Sequence, residues 1–378
     1  MRSKLPDSKL SIFAVMSKLA ADYGALNLSQ GFPDFDTDPA LIHLVTEAMQ
    51  AGHNQYAPLA GNLRLREKIA ELVQELRGKY YNPESEITLT VGASEALYVA
   101  ITAFVHRDDE VIVLKPAYDT YEPSILVQGG VPVPVQLEAP YTSVNWDAVA
   151  AAITPKTRML IINNPHNPSG MTFQKADLER WEDLVRGTNI LILSDEVYEH
   201  IVFDNQKHQS VASVPGLAER SLITASFGKT FHTTGWKTGY CLAPKALMQE
   251  FNKVHQNTVF CVHHPTQVAL AAYLEEPRHY LNLSAFYQRK RDVFVEAIAN
   301  SRFQFTPSAG TYFQILDYSA ITDEPAPAFA ERLTKENGLA SIPVSVFNVN
   351  GKDDQLLRFC FAKEEATLLK AASILNSI

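Results

Sequence analysis

The sequence predicts an α/β protein with a mostly parallel, seven-stranded sheet and a smaller α+β domain. From residue 87 onward, short runs rich in β-branched residues alternate with stretches of helical periodicity, which is typical of a parallel sheet covered on both faces. After about residue 285 this alternation gives way to a long helix, hairpin-like strands and a terminal helix. The length of 378 residues exceeds the roughly 250 to 300 at which single cores stop growing, so more than one domain is expected.

The predicted strands of the sheet are seven short runs: 87–91, 110–114, 131–137, 158–162, 189–193, 221–225 and 240–243. Helical periodicity between most of these runs predicts covering helices, for example over 93–105 and 175–186. Ligands of such sheets bind beyond the carboxyl ends of the strands, so the residues that follow those ends are candidates for a binding site.

The chain is predicted to divide into three parts. An N-terminal segment over 1–45 is expected to join a small domain over 286–378, and a large domain over 46–285 contains the sheet. Within the small domain, a long helix over 286–300 and a strand over 356–361 are predicted.

Composition and charge favour a small-molecule partner. The formal net charge of −9 and the pI of about 5.7 leave no basic surface for neutralising many phosphates, so no nucleic-acid partner is expected. No apolar run approaches the roughly 18 residues of a membrane span. The apolar run over 12–16 is too short for the core of a signal peptide and predicts an amphipathic helix instead.

The three cysteines, Cys241, Cys261 and Cys360, are an odd number without Cys-x-x-Cys spacing, so neither a disulfide framework nor a zinc knuckle is supported. Cys261 stands near His263 and His264, but this spacing matches no standard site, so no metal is predicted. Reduced cysteines favour a cytoplasmic location.

Asp195 stands at the end of a strand that should be buried on both faces. An unpaired buried carboxylate is costly, so Asp195 either pairs with a ligand or acts structurally as a cap or in an internal pair.

Lys229 follows the strand over 221–225, in Ser226-Phe227-Gly228-Lys229-Thr230. A surface turn is the simple interpretation. A Walker A phosphate loop is excluded because Ile223 stands where that motif needs glycine. A lysine among apolar neighbours at the mouth of a sheet suits Schiff-base chemistry, since desolvation favours its neutral amine.

A phosphate site is indicated where the strand over 87–91 passes through Gly92 into a helix. The free amides of Ala93 and Ser94 would point at the sheet edge, although Ser94 would equally serve as a simple N-cap. Lys237 lies between two glycines that let backbone approach an anion, or is a solvated surface charge.

The segment over 163–170, Asn-Asn-Pro-His-Asn-Pro-Ser-Gly, predicts a rigid irregular loop at the same edge. Asn167 could donate to a ring oxygen there, although polar turn residues explain this composition equally well. Four strand ends thus offer a phosphate cradle, an amide, an acid and a lysine to one crevice.

In this order and spacing, these residues resemble the fold-type I pyridoxal-phosphate aminotransferases, and specifically the kynurenine/glutamine and bacterial methionine aminotransferase group. The resemblance runs nearly end to end and includes 27–35, 54–56 and 357–361. It implies the aspartate-aminotransferase-like fold, pyridoxal 5′-phosphate as cofactor, and an amino acid and a 2-oxo acid as substrates. It also implies a homodimer with shared active sites.

The resemblance implies catalytic roles for Lys229, Asp195 and Tyr198, and contacts to the cofactor's ring for Asn167 and Tyr118. Lys229 would form a Schiff base with the cofactor and later carry a proton between the substrate's Cα and the cofactor's C4′. Asp195 would pair with the cofactor's ring nitrogen. Tyr198 and Asn167 would bond the ring's O3′, while Tyr118 would stack on its face.

The remaining roles also come from the resemblance. The phosphate would be held by five residues: Ala93, Ser94, Ser226, Lys237 and Tyr56, the last from the partner subunit. The substrate would be bound by four: Gly31, Asn167, Phe13 and Arg358. The planar fork of Arg358 would clamp the substrate carboxylate.

Substrate preference is predicted from the pocket. Phe13, Phe32 and Tyr118 lie in or beside its segments, and no second arginine stands in a matching position, so apolar or aromatic donors are expected, with methionine first. Phe13 and the run over 260–265, which would help shape the side-chain pocket, depart from close relatives.

Two alternative functions are considered. A cysteine-S-conjugate β-lyase would use the same Lys229 and Asp195, and would differ only in releasing pyruvate, ammonia and a thiol without an acceptor. A DNA-acting regulator built on this fold would need a basic reading module, which the sequence lacks.

Overall fold

The computed structural model describes residues 3–6 and 10–378, so residues 1, 2 and 7–9 of the predicted N-terminal segment lie outside it. The helices are α1 (Ile12–Tyr23), α2 (Pro39–Gln50), α3 (Leu63–Arg77), α4 (Gly92–Phe104), α5 (Tyr121–Gln128), α6 (Trp146–Ala152), α7 (Lys175–Val185), α8 (Pro215–Ala218), α9 (Phe227–Thr230), α10 (Lys245–Thr258), α11 (His264–Tyr273), α12 (Arg278–Leu281), α13 (Leu283–Ala297), α14 (Ala326–Asn337) and α15 (Glu365–Asn376). The strands are β1 (Leu26–Asn27), β2 (Ile87–Thr90), β3 (Glu110–Lys115), β4 (Val131–Gln136), β5 (Thr157–Asn163), β6 (Leu191–Asp195), β7 (Ser221–Ser226), β8 (Gly239–Leu242), β9 (Phe313–Asp317), β10 (Leu339–Ala340), β11 (Ile342–Pro343) and β12 (Leu356–Cys360). None of the helices in this part of the chain is long and apolar enough to cross a membrane.

Seven strands form the central sheet, in the order β2-β8-β7-β6-β5-β3-β4. Strands β7, β6, β5, β3 and β4 pair in parallel, whereas β8 is antiparallel to both β2 and β7. The predicted mostly parallel sheet is therefore confirmed. The carboxyl ends of β3, β5, β6 and β7 share one edge, which is the edge where ligands of such sheets bind.

Both faces of the sheet are covered because its inner strands are apolar on both sides. All five residues of β6 are buried. Helices α4, α5 and α10 form the core on one face, with Leu97, Ile125 and Phe251 fully buried there. The core on the other face includes Ile69 of α3 and Trp181 of α7. This double covering fixes the sheet edge at which the loops meet.

Strand β6 begins two residues later than predicted, at Leu191 instead of Asn189. The carbonyls of Thr188 and Ile190 accept hydrogen bonds from the Arg220 guanidinium at 2.9 and 3.2 Å. These residues therefore close a turn before the strand starts pairing. The shift extends the strand to Asp195.

The second part of the chain differs from the prediction in two details. The long helix α13 begins at Leu283, whose buried side chain continues the apolar stripe of Tyr287 and Phe294. The expected hairpin is reduced to a single antiparallel bridge between Gln304 and Asp317. Strand β9 pairs instead with β12, in a three-stranded antiparallel sheet of order β11-β12-β9.

The N-terminal segment lies against the C-terminal part of the chain. Strand β1 pairs in parallel with β10, and the Leu28 carbonyl accepts a hydrogen bond from the Cys360 amide at 2.8 Å. Helix α1 packs on α14. The boundaries predicted at 45 and 285 fall inside α2 and α13, and the division into domains stays a prediction.

The loop after β6 is anchored from the interior by Glu199. Its carboxylate accepts hydrogen bonds from Arg77 at 3.0 Å and from the Tyr240 hydroxyl at 2.8 Å. The side chains of Glu199 and Arg77 are each only 8% exposed. Because Glu199 is the immediate neighbour of Tyr198, this buried ion pair fixes the backbone that presents Tyr198.

We predict that Glu199→Gln lowers the free energy of unfolding by about 3 to 5 kcal/mol, because it leaves Arg77 buried without a counter-charge. Glu250→Gln is the matched control, since Glu250 pairs with Lys253 on the surface of α10. Urea unfolding followed by tryptophan fluorescence measures both variants. Equal stabilities would show that the buried pair does not anchor the loop.

Candidate active site

A cavity of about 280 Å³ opens where the central sheet meets the N-terminal segment and β12. Twelve predicted site residues line it: Phe13, Gly31, Ala93, Ser94, Tyr118, Asn167, Asp195, Tyr198, Ser226, Lys229, Lys237 and Arg358. Of the residues predicted to bind cofactor or substrate or to act in catalysis, only Tyr56 lies elsewhere. The fold thus brings strand ends that are distant in sequence into one space.

Asp195 ends β6 and is 4% exposed. Its Oδ2 accepts a hydrogen bond from the Tyr121 hydroxyl at 2.5 Å, and its Oδ1 accepts a weaker one from the Val197 amide at 3.4 Å. Burial raises the pKa of Asp195 to about 6. Among the described residues, no ammonium or guanidinium lies within salt-bridge distance of this carboxylate. A cationic group of a ligand would supply the missing partner.

Lys229 lies in the short helix α9, directly after β7. Its Nζ donates hydrogen bonds to the Gly31 carbonyl at 2.9 Å and to the Tyr312 hydroxyl at 2.7 Å. Burial lowers the pKa of Lys229 to about 8. A larger fraction of this amine is therefore neutral near pH 7 than in an exposed lysine, which favours attack on an aldehyde.

The N-terminus of α4 faces the cavity. Gly92, with φ +69°, turns the chain from β2 into the helix in a conformation that favours glycine. Val91 is the N-cap, so Ser94 does not cap the helix and lies within its first turn together with Ala93. Amides of a first turn lack intrahelical acceptors, and the helix dipole favours a negative charge beside them.

Lys237 adds a positive charge to this helix end. Its Nζ lies 3.4 Å from the Ser94 hydroxyl oxygen, and Ser226 lines the same part of the cavity. A Cβ on Gly239 would lie 3.0 Å from the Ala93 nitrogen and 2.5 Å from a carbonyl of β7, so only glycine lets β8 lie this close. The arrangement suits a phosphate.

Arg358, on β12, is 1% exposed. Its Nη1 donates to Oδ1 of Asn167 at 2.9 Å, and its Nη2 donates to the Ser29 carbonyl at 3.0 Å. The guanidinium carbon lies 3.9 Å from the centre of the Phe313 ring. Each terminal nitrogen retains a second N–H, so the fork can still receive a carboxylate. Arg358 is the one arginine that lines the cavity in the described residues.

Asn167 is held by the rigid loop after β5. Its amide N–H donates to Oδ1 of Asn163 at 2.7 Å, and Nδ2 of Asn163 donates to the Asp195 carbonyl at 2.9 Å. The neighbouring His166 ring lies 3.0 Å from the Pro116 carbonyl, and burial lowers its pKa to about 4, so it is neutral. Because Oδ1 of Asn167 accepts from Arg358, its NH₂ group is the part available to donate into the cavity.

Aromatic rings form much of the remaining lining. Phe13 stacks on Phe347 with ring centres 5.8 Å apart, and Tyr118 lines the cavity from the loop between β3 and α5. Phe32, which was expected beside the pocket, does not line it. It is 42% exposed, and its ring centre lies 5.0 Å from the Lys363 ammonium.

Two contacts of the site escape prediction from the sequence. Tyr121 donates to Asp195, and Tyr312 accepts from Lys229. These pairs are 74 and 83 residues apart, and neither tyrosine stands at the end of a strand in the central sheet. No local pattern distinguishes them from ordinary core aromatics.

Tyr56 lies on the surface, 83% exposed, and its ring is edge-on to that of Phe260, with ring centres 5.6 Å apart. His264 contacts the Gln55 carbonyl at 3.2 Å. The run over 260–265 therefore packs beside the Tyr56 loop and does not line the cavity of its own chain, and its role in shaping the side-chain pocket stays a prediction. Across the described ranges, no group of three or more His, Cys, Asp or Glu side chains could hold a metal ion.

Comparison with known proteins places this geometry in a family. The aminotransferase class I and II model matches residues 23–375. Methionine aminotransferase of Escherichia coli is 47% identical over 378 residues, covering 100% of this chain and 98% of that protein. Kynurenine–oxoglutarate transaminase of Dictyostelium discoideum is 34% identical and covers 96% of this chain and 92% of that protein.

Solved structures of aminotransferases have the same fold as this chain. A crystal structure from Escherichia coli, for which a methionine aminotransferase function was identified, superposes with a TM-score of 0.97 at 46% identity and covers 100% of this chain and 99% of that one. An aspartate aminotransferase variant from Thermus thermophilus superposes with a TM-score of 0.91 at 29% identity, covering both chains fully. The fold is therefore aspartate-aminotransferase-like, and the chain belongs to the aminotransferase class I and II family.

Proposed function

We propose that this aminotransferase uses pyridoxal 5′-phosphate to move the amino group of methionine, or of another apolar or aromatic amino acid, to a 2-oxo acid. The observation that carries the proposal is the meeting of Asp195, Lys229, Arg358 and the α4 N-terminus in one cavity. The 47% identity to a methionine aminotransferase supports the choice of donor. A cysteine-S-conjugate β-lyase is not favoured, since the relatives described above are aminotransferases.

The residues fit this cofactor on chemical grounds. The α4 amides, Ser226 and Lys237 offer a phosphate site at one end of the cavity. Asp195 offers an anionic oxygen without a cationic partner, which suits a protonated ring nitrogen. Lys229 offers a buried amine with a lowered pKa. Tyr118 and Tyr198 also line the cavity and would contact the ring.

When bound, pyridoxal phosphate supplies an aldehyde for the lysine and an electron-withdrawing ring that stabilises the carbanion left at the substrate's Cα. Asp195 would hold a proton on the ring nitrogen, since a cation beside it favours its carboxylate form and offsets the effect of burial, which favours the neutral acid. Asn167 and Tyr198 would orient the ring by hydrogen bonds to its O3′ oxygen. Lys229, once its amine is free, would take the proton from the substrate's Cα and deliver it to the cofactor's C4′.

Arg358 positions the substrate by binding its carboxylate with the two terminal nitrogens. Asn167 bonds Arg358, so the groups that orient ring and substrate share a hydrogen bond. The side chain of the substrate then meets apolar lining from Phe13 and Phe313. Sulfur packs well against aromatic rings, whereas a second carboxylate would be buried without an arginine to receive it.

We further propose a homodimer with shared sites, in the cytoplasm. Tyr56 and Phe260 form an exposed aromatic pair on the surface, 83% and 42% exposed. A two-fold interface buries the same patch twice, so Tyr56 would reach the phosphate site of the partner subunit. The anion site of one chain would then gain a phenol hydroxyl from the other.

Asp195→Asn should keep the fold but lower kcat by about two to four orders of magnitude, because a neutral amide cannot hold the ring nitrogen protonated. Asp317→Asn, which changes a strand-end carboxylate outside this cavity, should leave kcat unchanged. Steady-state kinetics with methionine, and circular dichroism for the fold, measure both. Normal kcat in Asp195→Asn would make Asp195 a structural residue.

Methionine and phenylalanine should each bleach the visible band of the bound cofactor without any acceptor, and aspartate should do so far more slowly. The reason is the apolar lining with a single arginine. The measurement is kcat/KM for each amino acid in the half-reaction and in full turnover with a 2-oxo acid. Preference for aspartate would refute the predicted specificity, and pyruvate release from S-conjugates without acceptor would favour the lyase.

Mixed dimers test the shared site. Lys229→Ala chains and Tyr56→Ala chains, each strongly impaired as homodimers, are mixed and allowed to exchange subunits. If Tyr56 acts across the interface, each mixed dimer has one site with both lesions and one with neither, so activity recovers.

The control for exchange is native mass spectrometry of the mixture, which shows whether mixed dimers form. If Tyr56 instead serves its own chain, every site carries one lesion. No recovery of activity despite confirmed mixed dimers would then rule out the shared site.

A further inference from the structure

The amine of Lys229 rests in a small niche with two neutral acceptors. Its Nζ donates to the Gly31 carbonyl at 2.9 Å and to the Tyr312 hydroxyl at 2.7 Å. The Tyr312 hydroxyl in turn donates to the same Gly31 carbonyl. A carbonyl oxygen has two lone pairs, so it can accept both bonds. The three groups close a triangle of hydrogen bonds.

The niche is rigid because its parts are buried and packed. Tyr312 is fully buried, and its ring lies edge-on to Tyr198 and to Phe313, with centres 5.1 and 4.9 Å apart. A Cβ on Gly31 would approach the Phe313 ring to 2.8 Å, so a larger residue there would displace the ring or the backbone. The carbonyl that receives the lysine is therefore fixed.

We propose that Tyr312 is a positioning residue that holds the Lys229 amine, through this niche, whenever the amine is not bonded to the cofactor. This inference rests on the proposed function, in which a free Lys229 carries the Cα proton. Taking that proton converts the amine to an ammonium with three N–H bonds. The Tyr312 hydroxyl and the Gly31 carbonyl accept hydrogen bonds from two of these N–H groups. The third N–H group stays directed at the substrate and can donate its proton there.

Tyr312 does not itself take the proton. Burial raises the pKa of Tyr312 well above its usual value, so the phenol stays protonated and acts as a neutral acceptor. The charged or titratable groups that face Lys229 from the surrounding elements are Asp195, Tyr198, Lys237, Arg358 and Cys360. A Tyr312→Phe substitution changes none of these groups.

The chain offers a matched control in Tyr287. It is fully buried, its ring centre lies 5.7 Å from that of Tyr312, and its hydroxyl has no hydrogen-bond partner in the described residues. Tyr287→Phe removes a phenol hydroxyl from the same aromatic cluster without touching Lys229. A general packing effect should appear in both variants, whereas loss of the niche should appear only in Tyr312→Phe.

The first experiment follows the recombination of cofactor-free protein with pyridoxal phosphate by absorbance, as a function of pH. The neutral amine reacts, so the rate rises as Lys229 loses its proton. Without the Tyr312 acceptor the ammonium is less stable and the pKa of Lys229 falls, so the profile of Tyr312→Phe should move to lower pH by about one pH unit. Tyr287→Phe should follow the wild-type profile.

The second experiment measures turnover with methionine deuterated at Cα. Tyr312→Phe should lower kcat by about tenfold with little change in KM, and its isotope effect should rise because proton transfer becomes slower. Tyr287→Phe should keep wild-type values of all three quantities. Unchanged profiles and isotope effect in Tyr312→Phe, or unfolding of that variant alone, would overturn the proposal and leave Tyr312 a structural residue.

The two proposals fail differently. If wild-type protein forms no covalent complex with pyridoxal phosphate, the proposed function fails. If wild type and Tyr287→Phe recombine normally and Tyr312→Phe shows the same pH profile, the proposed function stands and only the niche is refuted.

Discussion

The burial of charged side chains in one cavity is the constraint on which this site depends. Asp195 and Arg358 are buried and Lys229 is partly buried, yet none of the three forms a salt bridge with a protein group in the described residues. Hydroxyl, amide and carbonyl groups hold them instead. Neutral partners orient a charge without neutralising it, so each charge is left to act on a ligand. In a site built from internal ion pairs, the protein's own charges would neutralise one another and would be less able to act on a ligand.

The parallel sheet explains how these groups meet. Strands β3, β5, β6 and β7 end at one edge. Asp195 is the last residue of β6, and the segments that follow the other three strands hold Tyr118, Asn167 and Lys229. The antiparallel β8 enters the same edge from the other direction, which brings Lys237 beside the α4 N-terminus. The buried strands therefore fix where the site lies, and the residues at and beyond their ends provide its reactive side chains.

This difference between the buried strands and the residues beyond them also explains which parts of the structure the sequence could predict. The strands were predictable because apolar β-branched runs separated by helical stretches are a strong local signal, and the residues at their ends inherit a common location. Where local and tertiary hydrogen bonding compete, prediction fails by a few residues, as at Ile190, whose carbonyl binds Arg220 before β6 begins. Tyr121 and Tyr312 were not predictable, because their roles arise from single contacts between distant parts of the chain.

Gly31 shows why the N-terminal segment belongs to the chemistry. Its carbonyl receives the lysine amine, while two residues earlier the Ser29 carbonyl receives the guanidinium of Arg358. The same segment is tied to the C-terminal part of the chain through β1 and β10 and through the bond between Leu28 and Cys360. A movement of the C-terminal part would therefore shift the carbonyl acceptors of Lys229 and Arg358 together. If Lys229 and Arg358 act as proposed, proton transfer and carboxylate binding are coupled through one short stretch of backbone, and a substitution that loosens that stretch should impair both.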